Sequence, residues 1–345
     1  MGEQMEVESA AKENGNSEVE LTETENELYD RQIRLWGLES QKRLRTAKVL
    51  ISGLNGMGAE VTKNIILSGV HAVKLNDSKI VTEEDFCSQF LLPRTALGCN
   101  RAEASIERSK ALNPMVEISA DIQPLSEKNE DFFCGFDVVV VIGASNNELL
   151  RIDDICRRND IKFFAGDVWG MFGYIFADLK EHKFVEDVVK HKIISKPNEK
   201  TKTELITTTV QKELSFPSYQ AFVDFDMKNP AFQKNLKRKG PAFVLLRVLQ
   251  KFRESFCRDP SYKSREEDLK HLESLRDEFN ISGMIMANNY LEYIFAQISP
   301  AAAVVGGVMA QEIIKTITKK ESPNLNLFLF DPQTCCGFIE TIGVY

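Results

Sequence analysis

Residues 47–70 read AKVLISGLNGMGAEVTKNIILSGV. The apolar run Lys48–Ser52 suits a buried strand, GLNGMG is a glycine turn, and Val61, Ile65 and Ile66 recur at the spacing of one helix face. Strand, tight turn and helix form one unit of an open parallel sheet. Outward from it the alternation continues. AVKLND ends a second strand at Asp77, a helix is expected over Arg101–Leu112, and FDVVVVIGAS (136–145) carries four successive valines, a pattern for burial on both faces of a sheet. A helix around 149–158 and the strand KFFAGD (162–167) extend the series. Alternation over 47–168 predicts an α/β fold with a doubly wound, mostly parallel sheet, Rossmann-like in kind.

The 345 residues allow about two domains, or one large α/β domain with an insertion. Residues 1–27 hold nine Glu and one Lys with few large apolar side chains, so they read as a disordered acidic tail. Order is expected from Leu28, with 28–168 as the Rossmann-like half. Residues 169–270 break the rhythm and read as an insertion, mobile near 195–213, with helices over 242–256 and 265–279. Residues 271–345 return to the main domain through the small-residue helix SPAAAVVGGVMAQEIIKTI (299–317) and two closing strands.

Charge and composition exclude several functions. The chain carries net −8, but the tail accounts for all of it, and the other 318 residues balance 42 acidic against 42 basic side chains. A generic nucleic-acid binder needs a basic excess to displace counterions, so none is expected. The short cluster Lys234, Lys237, Arg238, Lys239 reads as a solvated face or a weak nuclear-import patch. No stretch approaches the ~18 uninterrupted apolar residues of a membrane helix, which sets a membrane-spanning role aside. Seven scattered cysteines without a leader suggest a reducing, intracellular setting, and neither they nor the four histidines show metal-ligand spacing. Cys257, between Arg253 and Arg258, shows no convincing sign of a nucleophile.

A nucleotide-binding turn of this kind usually reads G-x-G-x-x-G, with bare backbone at the middle glycine for phosphate approach. Here the register is Gly53, Asn55, Gly58, with Gly56 between. A side chain at 55 stands where phosphate needs open N–H groups. The turn reads either as a degenerate cofactor loop or as a packing feature. Asp77 leaves a nicotinamide-dependent oxidoreductase open, because an acidic residue about 20 positions beyond the loop could hold a ribose.

The strings YDRQIRLWG (29–37), QKRL (41–44), VLISGLNGMGAEVTKNIILSGV (49–70), QFLL (89–92), NRAEAS (100–105), LNPMVEI (112–118), FFAGDVWGMFGYIFADL (163–179) and AVVGGVMAQEIIK (303–315) resemble the ubiquitin-activating-enzyme family, of ThiF/MoeB-like adenylation fold. Within it they are similar to the small, non-catalytic subunits of SUMO-activating enzymes. The resemblance spans roughly 28–345. It implies a pseudo-enzyme that pairs with a large catalytic subunit, the partner holding ATP, magnesium and the nucleophilic cysteine. The complex would adenylate the C-terminus of SUMO, carry it as a thioester and meet the conjugating enzyme. Nuclear residence, with a cytoplasmic share, is a further expectation.

The resemblance also implies which half this is. The family's ribose-binding Asp falls at Lys79, its loop Asn at Asp85, its phosphate-contacting Arg at Ser88 and its Lys at Arg101; its strand-end metal Asp faces only Ser145, Asn146 and Asn147. Lost forked donors and a lost hard oxygen ligand leave this half unable to bind a triphosphate and magnesium by itself. Arg31 matches an arginine offered across the dimer to the partner's ATP, while from the residues alone it could equally pair with Asp30 or Glu27. A self-sufficient adenylating homodimer would need the missing Arg and Asp. A regulatory half serving another ubiquitin-like modifier remains the nearest alternative.

Overall fold

The structure is a computed structural model that describes residues 20–194, 202–230, 232–234, 240–279, 286 and 288–343. Five parallel strands form the centre of the sheet: β1 (Lys48–Ser52), β2 (Ala72–Asn76), β3 (Glu117–Asp121), β4 (Val138–Ile142) and β5 (Lys162–Trp169), in spatial order β3-β2-β1-β4-β5. Three antiparallel strands extend it beyond β5: β6 (Phe172–Asp178), then β9 (Leu327–Phe330) and β10 (Gly337–Glu340). A second sheet is the hairpin of β7 (Glu181–Ile194) and β8 (Lys202–Ser215).

Helices cover both faces, as the valine run requires. On β4, Val139 and Val141 join one apolar core while Val138, Val140 and Ile142 join the other, the period-two alternation of a strand buried on both sides. The second core is closed by α4 (Gly56–Leu67), α5 (Arg101–Leu112) and the 20-residue α12 (Ser299–Thr318), which packs along α4. The first is closed by α7 (Asn146–Arg158), α9 (Ala242–Phe256) and α10 (Arg265–Phe279). Short helices α6 (Glu130–Phe133), α8 (Tyr219–Val223) and α11 (Asn288–Leu291) fill its margins. Phe176, Tyr219, Phe222 and Phe243 meet there in an aromatic cluster.

Ahead of β1 stand α1 (Glu23–Leu28), α2 (Asp30–Trp36) and α3 (Leu38–Leu44). Order therefore reaches back inside the segment read as an acidic tail. Thr22 and Glu25 form a reciprocal capping box, and the Glu25 carboxylate pairs with Arg45 at 2.7 Å, so this glutamate is bound rather than solvated. Residues 1–19 lie outside the described residues, as do 195–201 and the core of the basic cluster, Lys237, Arg238 and Lys239.

Three further expectations are corrected. Residues 202–213, read as mobile, belong to β8: the β-branched run ITTTV pairs with β7, and β7 is tied to the body where the Val185 N–H donates to the Lys319 carbonyl. The boundary drawn at 169 cuts off the last residue of β5, and β6 then continues the main sheet against that strand. And α12 is long and apolar enough to cross a membrane by length and composition, despite the polar Gln311, Glu312 and Lys315. It packs instead on α4 and β6, with Glu312 buried and accepting from Lys315 and the Asn324 N–H.

Candidate functional site

A cleft of about 1060 Å³ opens at the carboxyl ends of β1, β2, β4 and β5. It spans the point where strand order reverses between β1 and β4, the usual ligand position in an open α/β sheet. Gly53, Asn55 and the ends of the valine strand line it. Gly53 turns the chain with φ +89°, and a Cβ there would lie 2.1 Å from the Ile142 carbonyl oxygen, so only glycine fits between the two strands.

Beyond the turn, the N-terminus of α4 faces the cleft, and two of its first three N–H groups, those of Gly56 and Gly58, are already met by side chains. Asn55 caps the helix, its Oδ1 accepting from the Gly58 N–H at 3.0 Å. The Asn55 Nδ2 donates to Asp167 Oδ1 at 3.1 Å. Gln297, 241 residues later, brings its Oε1 to 3.1 Å from the Gly56 N–H. Two of the donors that would cradle a phosphate, at Gly56 and Gly58, thus bond side-chain amides of the same chain.

The wall after β2 is closed in the same way. Asp77 is 5% exposed, and its carboxylate accepts from the N–H groups of Leu54 (2.8 Å) and Lys79 (2.9 Å) and from Arg101 (3.2 Å). Spent on this network, it is poorly placed to hold a ribose. Arg101 also pairs with Asp85 at 3.0 Å, and Asp85 in turn caps Thr82. Ser88 is buried beside Gly56. Lys79 is exposed at the rim.

Of the three residues at the strand-end position, Ser145 and Asn147 line the cleft, unlike Asn146. Its Nδ2 donates to Glu254 at 2.6 Å and its Oδ1 accepts the Tyr219 hydroxyl at 2.7 Å, which turns it toward the insertion. Ser145 caps α7 through the Glu148 N–H. Half-buried Arg253, from α9, binds Asp167, Asp259 and the Ala144 carbonyl, and its guanidinium lies 4.8 Å from the Trp169 ring centre. Burial alone would lower its pKa, but the charges of Asp167 and Asp259 outweigh that and raise it.

The balance of charge in the cleft is acidic. Asp77, Glu83, Glu84, Asp85, Glu148, Asp167 and Asp259 line it against Lys79, Arg101 and Arg151. Arg101 is held by carboxylates and Arg151 by the carbonyls of Leu125 and Lys128, which leaves Lys79. Burial pushes the Glu148 carboxyl above its ordinary range, with Arg151 and Lys79 opposing. A triphosphate would meet filled donors and like charge, so these residues do not fit one. Among the described residues, no three His, Cys, Asp or Glu side chains are grouped to hold a metal ion.

Gly53, Asn55, Gly56 and Gly58 are thus brought together, and Arg31 is not among them. It projects from α2, which sits at the far end of α4, about 18 Å of helix away by twelve residues at 1.5 Å each. Arg31 is exposed, and among the described residues it makes no ion pair: Asp30, a partner open to it by sequence, pairs with Arg34 at 3.0 Å. Exposed Leu28, Leu35 and Leu38 surround it in sequence. Cys257 is an exposed thiol that does not line the cleft. Sequence reading missed Gln297, Asp167 and Arg253. Asp167 ends the strand KFFAGD and could have been flagged; nothing local marks the other two.

Residues 29–337 match the ThiF family. The chain is 41% identical to SUMO-activating enzyme subunit 1 of Xenopus tropicalis, over 94% of this chain and 98% of that protein. It is 42% identical to the subunit of the same name from Homo sapiens, over 94% and 96%, and 42% identical to that of Danio rerio, over 93% and 95%. Among solved structures, a crystal structure of Escherichia coli MccB with succinimide superposes with a TM-score of 0.54 at 14% identity, covering 91% of this chain and 71% of that one, a likeness of fold. The chain belongs to the ThiF family and, within it, to the SUMO-activating enzyme subunit 1 proteins.

Proposed function

We infer that this chain is the non-catalytic half of a SUMO-activating enzyme and works in a heterodimer with a larger catalytic subunit. The partner would hold ATP and magnesium, adenylate the SUMO C-terminus and carry SUMO as a thioester for the conjugating enzyme. The observation that carries this reading is the self-filled N-terminus of α4, set beside near full-length kinship to subunit 1 proteins. A cleft in the nucleotide position where Asn55 and Gln297 take the Gly58 and Gly56 N–H groups has a role in the fold rather than in turnover.

Arg31 would supply chemistry in trans. It lies too far from its own cleft to act there, it is exposed, and its charge is not spent on a carboxylate of the described chain. Such a guanidinium, brought against the partner's nucleotide, would offset the negative charge that develops as pyrophosphate leaves. The exposed leucines near it suit a surface that is covered on assembly. The test is SUMO-dependent ATP–pyrophosphate exchange by this chain alone and after mixing with the catalytic subunit. Exchange only in the mixture is expected. Exchange by the chain alone would overturn the reading.

A further inference from the structure

Helix α2, which carries Arg31, has no buried residue and no side-chain cap at its N-terminus. Seven residues do not hold a helix in water by hydrogen bonding alone, so its direction is set from outside. The holding points converge on the last residues of α4. Asn113 Nδ2 donates to the Ile66 carbonyl, Gln32 Nε2 to the Leu67 carbonyl and Gln41 Nε2 to the Ser68 carbonyl, each at 3.0 Å. Three side-chain amides thus take three successive carbonyls at the end of α4 and its C-cap Ser68, of which that of Ile66 also accepts the Gly69 N–H.

Two of these amides also grip the residues that bracket α2. Asn113 Nδ2 donates to the Tyr29 hydroxyl at 2.9 Å, and Gln41 Oε1 accepts the Trp36 indole N–H at 3.0 Å. Gln32 adjoins Arg31 itself. We propose that this clasp fixes the direction in which Arg31 leaves the chain, making Gln32, Gln41 and Asn113 positioning residues for the trans reaction. The proposal rests on the reading of Arg31 given above. Through α4 the clasp refers Arg31 to the main sheet, and a transition-state contact needs such a reference because small misplacements lower rate steeply.

The experiment uses the assembled heterodimer and reads kcat and KM for ATP in pyrophosphate exchange, with sedimentation to follow assembly. The half-buried Gln32 changes to Met without disturbing the core; Gln41→Met is the second variant. Gln32→Met is expected to lower kcat roughly five- to twentyfold with KM and assembly little changed. In an Arg31→Ala background the same change should cost nothing further, since there is no guanidinium left to aim. Unchanged kcat in both Met variants beside a slow Arg31→Ala enzyme would overturn the clasp alone. Losses that multiply in the Arg31→Ala background would overturn it too, by showing an independent structural effect. Full exchange by Arg31→Ala would sink the trans reading and the clasp together.

Discussion

At the N-terminus of α4, the N–H groups of Gly56 and Gly58 are met by amide oxygens of Gln297 and Asn55, inside a cleft. At its C-terminus, the carbonyls of Ile66, Leu67 and Ser68 are met by amide nitrogens of Asn113, Gln32 and Gln41, and beside them Arg31, with no ion pair among the described residues, faces solvent. Both ends satisfy groups that every helix leaves open. The first closes a place where a phosphate could enter, whereas the second holds a cation outward. The two ends teach that a cleft in the nucleotide position can be occupied by the fold's own side chains: the same helix serves as a self-capped wall at one end and as a mount at the other.

Three substitutions test this contrast. Arg31→Ala in the heterodimer should slow pyrophosphate exchange by about 10²–10³-fold, the usual scale for one lost transition-state donor, while sedimentation shows assembly intact. A rate near that of the parent enzyme would remove the outward role of the far end. Gly69→Ala attacks the mount by sterics. Gly69 has φ +79°, and a Cβ there would lie 2.5 Å from the Tyr29 ring, itself 1% exposed. A loss of roughly 2–4 kcal/mol is expected in urea unfolding, from strain and overpacking together. Asn55→Ala attacks the closed end. It should cost about 1 kcal/mol, the value of an N-cap, and fluorescent ATP should still show no binding, because the acidic lining and Gln297 remain. Binding by that variant would show that Asn55 alone keeps the cleft shut.

The central sheet could be read from sequence because its signals are local. The glycine turn, the valine run and the helices at 101–112, 242–256 and 265–279 each lie within one stretch whose periodicity names the element. Asn55 was legible for the same reason, since a side chain at the middle of a glycine turn must go somewhere. Gln297 was not: it reaches Gly56 only after α12 has packed on α4, and no local pattern records that approach. Asn146 shows a mixed case. Its place at the end of a buried strand was evident, yet its orientation follows from Tyr219 and Glu254, which the insertion delivers from far along the chain. The 202–215 strand failed for a different reason, as polar Thr and Lys residues mask β-branched content when no partner strand is in view. At Arg31, sequence offered Asp30 as a partner, and the i to i+4 geometry gave Asp30 to Arg34 instead.

The double commitment of α4 has a consequence for how its length can vary. One residue inserted between Gly56 and Leu67 would turn the far end by about 100° and push it about 1.5 Å along the axis. The core can absorb such a shift by repacking, as apolar side chains do, but three carbonyls that must each face a particular amide have no comparable freedom. Insertions and deletions in this helix should therefore be tolerated worse than substitutions on its surface, even where they leave its apolar face intact.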